Sequence, residues 1–180
     1  MGNIVSSIVV AIVTAICTVL GTLYVQKRKN ESAVRKCALC LYLNLKQTKG
    51  AIDKDKKTID QISMDIVFMP YFSELDYIGL LSELKDKLND KEIESVNHFY
   101  ETVKKLDNYK MNFGNTYNMY YSYPVMPNPY EYQYQNNLNA FTSNLNAVTN
   151  SDEYKSDIVE VISKLRELKD KKLKKRLNSI

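Results

Sequence analysis

His98 is the only histidine in the chain and the first residue to weigh as a catalyst. A general acid or base needs a partner that orients it and stabilises its charged form. His98 stands in the string VNHFYE, the nearby candidates are Glu94 and Glu101 on the same predicted helix, and the neighbouring Phe99 favours a structural histidine over a catalytic one. Cys37 and Cys40 have CxxC spacing in KCALCLYL, which is half of a zinc site. A structural zinc needs four ligands, and no second pair is present. Their apolar neighbours make these cysteines small core residues. No phosphate loop, Ser-His-Asp arrangement or metal cluster can be argued. The expectation is a protein that is not an enzyme and takes no cofactor or metal.

The informative features lie in the elements. Ile4 to Val25 is a run of 22 residues without a charge. As a helix it reaches ~33 Å, which predicts a transmembrane span. A cleaved signal peptide fits less well, because nothing basic precedes Ile4 and the apolar run is too long. Lys27, Arg28 and Lys29 follow at once as a membrane-surface basic flank, and they place the N-terminus outside and the remainder in the cytoplasm. The expected location is therefore the inner or plasma membrane, with the lipid bilayer as a partner.

The predicted fold class is all-α: residues 1–29 form a single N-terminal transmembrane anchor, and residues 30–180 form a cytoplasmic helical bundle. Helical spacing predicts a segment from Asn30 to about Lys49, with a turn at Gly50 and the charged run that follows. Ile59, Ile62 and Ile66 mark another helix that Pro70 interrupts. Ser73 is the expected cap of a helix over 74–88, and Asn89 or Asp90 starts one over 91–113. Helices over 137–149 and from Ser151 or Asp152 to about Leu177 complete the bundle. Residues 114–136 stand apart, with seven of the 14 tyrosines and three of the four prolines. They predict an ordered, irregular excursion, in which Tyr117, Tyr120, Tyr121, Tyr123, Tyr130 and Tyr132 form a loop for a protein partner.

Ser7, Ala11, Thr14, Thr18 and Thr22 give the first helix a small, hydroxylated side. That side is expected to pack helices together or, in a ring, to line a pore. The plainer alternative is that the hydroxyls bond their own i−4 carbonyls. Charge is segregated as well: residues 26–57 carry a net +7, 58–163 a net −9 and 164–180 a net +6. The basic tail lacks interleaved aromatics, so direct nucleic-acid binding is not expected. A basic tail meeting the acidic middle of a neighbouring subunit suits a homo-oligomer.

This layout, one N-terminal membrane helix and a compact all-α domain, resembles the small membrane accessory proteins of type VI-B CRISPR systems. The resemblance covers the whole chain as architecture and rests on no specific motif. It implies a divergent HEPN-like helical domain, a ring-shaped oligomer with a membrane pore, a role in antiviral defence and an RNA-guided effector as partner. The HEPN ribonuclease pattern has an arginine four to six residues before its histidine. None stands there before His98, and Lys91 is the nearest basic residue, so the resemblance implies lost nuclease chemistry. The expected function is a membrane-anchored, self-associating, non-enzymatic protein. The alternatives are a tethered adaptor acting through the tyrosine loop, or a degenerate ribonuclease using His98.

Overall fold

The computed structural model describes residues 2–59, 70–71, 76–123, 125 and 127–177, with side chains placed for those from Thr14 to Asp170. Five α-helices make up its described elements: α1 (Gly2–Thr58), α2 (Tyr77–Leu84), α3 (Asp90–Ser122), α4 (Glu131–Asn150) and α5 (Ile158–Leu177). A π-helical turn, Glu153–Asp157, joins the last two. The all-α class stands, with no strand among the described residues.

α1 has two regimes along one axis. From Ala38 onward its buried residues are Ala38, Leu41, Leu45, Thr48, Ile52 and Asp55. These positions alternate steps of three and four, the seam by which one helix packs along others. α2 and α5 lie against this half. Every residue from Thr14 to Ala33, in contrast, is exposed. α1 is thus half core helix and half projecting stem.

The expected turn at Gly50 is not formed, because α1 continues through it to Thr58. An interior glycine costs a helix only about 1 kcal/mol. Here Leu45, Ile52 and Asp55 all point into the core, and Lys49 pairs with Asp53 one turn on, 3.1 Å away. Those contacts outweigh the penalty. α2 is shorter than expected and capped by Asp76, whose side chain accepts from the Gly79 amide at 2.9 Å. The expected cap at Ser73 and the helix through Ile62 and Ile66 lie outside the described residues, and Leu173 of the last apolar stripe lies in α5 outside the residues whose side chains are described.

α3 begins where the sequence placed it. Asn89 and Glu92 form a reciprocal capping box that satisfies two amides of the first turn. Its end is different: α3 runs to Ser122 and α4 starts at Glu131, so the expected excursion over 114–136 is mostly helix. The three prolines fall within residues 124–129, which confines the non-helical chain to the short linker between these helices.

The transmembrane span is overturned. Among the described residues, no helix is long and apolar enough to cross a membrane. The single-pass architecture, the placement in an inner or plasma membrane and the N-outside orientation go with it. Ser7 and Ala11 lie outside the residues whose side chains are described.

Candidate functional site

Among the described residues, two surfaces stand out for exposed apolar side chains, one on the stem and one on the hairpin of α3 and α4. The first is the stem. Ile16, Val19, Leu20, Leu23 and Tyr24 fall within one broad arc of the helix, each more than half exposed. The other side carries Thr18, Gly21, Thr22 and Val25, which with Gln26 and Lys29 line a shallow groove of about 550 Å³. Thr18 donates to the Thr14 carbonyl and Thr22 to the Thr18 carbonyl, both at 2.8 Å. These hydroxyls are satisfied within their own helix and demand nothing from a partner. Gly21 leaves the middle of the groove open, with no atom within 4 Å of where a Cβ would stand.

The basic flank sits at the foot of the stem. Arg28 stacks over the Tyr24 ring at 4.8 Å. Lys27 turns toward a second cleft, of about 730 Å³, where the stem meets the head beside Leu23, Val34, Arg35, Lys87 and Leu168. Lys29 borders the small-residue groove.

The second surface is the hairpin of α3 and α4. Its inside is aromatic. Phe113 stacks on Phe141 with ring centres 6.0 Å apart, and Tyr120 stacks on Tyr134 at 4.8 Å. Tyr117 meets Phe113 at 6.2 Å and Tyr121 at 4.5 Å. Asn128 holds the linker: its amide donates to the carbonyls of Tyr120 and Tyr123, both at 2.7 Å, and its oxygen accepts from the Tyr130 amide at 2.9 Å. Tyr123 and Tyr130 close the turn with rings 5.2 Å apart. The expected partner loop is therefore divided. Tyr117, Tyr120 and Tyr130 are taken up in packing, while Tyr121, Tyr123 and Tyr132 stay exposed. Sequence reasoning missed Phe113, Tyr134 and Phe141 as the core of this hairpin, although Tyr130, Tyr134, Leu138 and Phe141 carry the helical spacing that marks it.

A third constellation, also missed, is buried. Lys110 of α3 and Asp55 of α1 form an ion pair of 2.8 Å, with side chains 5% and 7% exposed. The Tyr71 hydroxyl donates to the same carboxylate at 2.5 Å, and Lys110 stands 4.0 Å over the Tyr71 ring. The Tyr71 amide donates to Asp107 at 2.7 Å, and Thr48 donates to its carbonyl at 3.2 Å. Burial, then the Asp55 carboxylate, pushes the Tyr71 hydroxyl well above the usual phenol range. Two residues before Asp55 on α1, Asp53 accepts from the Tyr154 hydroxyl at 2.7 Å, and burial likewise raises the ionisation of Tyr154. Every member of this network is bonded, which fixes α1, α3 and the 70–71 segment together.

His98 pairs with neither Glu94 nor Glu101. Its Nδ1 meets Glu153, presented across the bundle by the π-helical turn, and the ring stays more than half exposed. Cys40 is exposed rather than a core residue, whereas Cys37 packs against the core and is raised in pKa by burial. Among the described residues, no group of three His, Cys, Asp or Glu side chains could hold a metal ion. Compared with family models, curated proteins and solved structures, the chain finds no match.

Proposed function

We propose that this protein is a non-enzymatic assembly module, in which the α1 stems of several copies bury one another while the helical heads are held around them. The observation that supports this reading is the two-faced stem. Its bulky arc of Ile16, Leu20 and Leu23 and its groove around Gly21 stand on opposite sides of one rigid helix. A knob side and a groove side on the same chain suit repeated contact from one copy to the next. Helices with small residues at the contact approach to the short end of the usual 8–10 Å axial spacing. Burying side chains of this kind is worth on the order of 1.5 kcal/mol or more each. The stem enters the core without a break, so the contact positions whole heads.

The test is the mass of the full chain by light scattering, beside the variant Leu20→Glu/Leu23→Glu. The proposal expects a discrete multimer from the parent and its loss in the variant, with helical content unchanged. A parent that stays monomeric, or that co-floats with phosphatidylcholine vesicles as a monomer, would overturn it.

A further inference from the structure

Cys37 and Cys40 stand where α1 changes from stem to head. On the head side the helix is held by Ala38, Leu41, Leu45 and Ile52, all fully buried. On the stem side Val34 and Arg35 are half-buried, and every residue from Ala33 back to Thr14 is exposed. The two cysteines are three apart on one unbroken helix, so their side chains are neighbours on its surface. Their settings differ. Cys40 is exposed, whereas Cys37 packs against the core. Burial, then Glu83 of α2 and Cys40 itself, raises the Cys37 thiol above its ordinary range. One thiol open to solvent beside a second that is shielded is the arrangement of a first-reacting cysteine and a resolving one.

We propose that this pair is a reversible oxidation site for small-molecule disulfides, and that closing it swivels the stem on the head. Cys40, as its thiolate, attacks a disulfide RSSR, which forms a mixed disulfide on Cys40 and releases one RSH. Cys37 then gives up its proton and displaces the second RSH, leaving Cys37 bonded to Cys40. Two protein thiols are oxidised and one RSSR is reduced to two RSH. In a regular α-helix the Cβ atoms of residues i and i+3 are about 5–6 Å apart, and a disulfide needs about 3.8 Å. A 3₁₀ turn removes the mismatch, because it brings residues i and i+3 into line. Three residues that go from about 100° and 1.5 Å each to about 120° and 2.0 Å each turn one side of α1 against the other by about 60°. The head side is fixed by its buried residues, so the exposed stem turns. Its bulky arc and its groove then face new directions around the head. The effect on assembly rests on the stem contacts proposed above; the bond itself does not.

The test treats the full chain carrying Cys17→Ser with oxidised glutathione and follows it by mass spectrometry. The expected course is a glutathione adduct that gives way to a product two hydrogens lighter than the starting chain, with Cys37 and Cys40 joined in the peptide map. Cys37→Ser in this background should stop at the adduct on Cys40. Cys40→Ser should react roughly tenfold more slowly, because only the shielded thiol remains. Light scattering of the oxidised chain should give a multimer mass different from that of the reduced chain, restored by dithiothreitol. An adduct that persists on Cys40 with Cys37 present, a bond that forms only in urea, or an oxidised multimer unchanged in mass would overturn the inference. A chain that joins the two cysteines yet is monomeric in both states keeps the oxidation site and overturns the stem contacts.

Discussion

Replacing Lys110 with methionine removes the cation from a carboxylate that water does not reach. Among the described residues, Asp55 then keeps only the Tyr71 hydroxyl, at 2.5 Å, against its desolvation. Breaking one partner of a buried pair typically costs about 3–5 kcal/mol, a large share of the ~5–15 kcal/mol that holds a domain together. Methionine follows the lysine stem closely, so lost packing contributes little. For a chain of this size the change corresponds to a fall in melting temperature of roughly 10 °C. Urea unfolding followed by circular dichroism measures it. Lys91→Met is the control, because Lys91 reaches Asp157 at 3.4 Å from a side chain 74% exposed. An exposed pair of that kind is worth under about 1 kcal/mol. The double variant Asp55→Leu/Lys110→Met should recover most of the loss, short of about 1–2 kcal/mol for the Tyr71 hydroxyl left without its acceptor. A Lys110→Met chain within about 1 kcal/mol of the parent, or a double variant no better than the single, would refute the account of this network.

Gly50→Ala should stabilise the protein by about 0.5–1 kcal/mol, since nothing lies within 4 Å of the added Cβ and the residue is interior to a helix. A loss in urea midpoint instead would argue for a turn at this position. Asn128→Ala should cost about 2 kcal/mol through its three lost bonds and loosen the hairpin, visible as faster amide exchange over 117–134. Stability should fall steeply as the pH rises above about 10. The reason is that Tyr71, Tyr100 and Tyr154 have raised folded-state pKa values, so the unfolded chain releases those protons first. Absorbance titration at alkaline pH should show the exposed tyrosines ionising before unfolding and these three only with it. Early titration of all 14 would contradict their burial.

The all-α class and the start of α3 could be read from periodicity and capping chemistry, which are local. The run of α1 through Gly50 could not be read from propensity alone, because it depends on where Leu45, Ile52 and Asp55 find their partners. The seam was nonetheless visible, since Asp55 falls where an apolar residue belongs and Lys110 does the same between Leu106 and Phe113. Two opposite charges on two apolar stripes are the sequence mark of a buried pair. The tyrosine segment was misjudged because its composition was averaged over 23 residues, although its prolines occupy only the centre. The membrane reading came from an uncharged apolar run, the lack of a basic residue before it and the basic flank after it. From Thr14 onward, the same helix carries Lys27, Arg28 and Lys29 within one turn of the last apolar residue and continues into the head. The internal bonds of Thr18 and Thr22 follow the plainer of the two expectations for the small side of the stem.

Cys17 is exposed on the stem and gives the most direct probe of whether stems meet. With Cys37 and Cys40 changed to serine, a spin label on Cys17 reports the distance to the same residue in neighbouring copies. Stems packed at about 8 Å between axes predict label separations below roughly 25 Å, lost in Leu20→Glu/Leu23→Glu. A dilute, non-interacting label in the folded parent would contradict assembly through the stem.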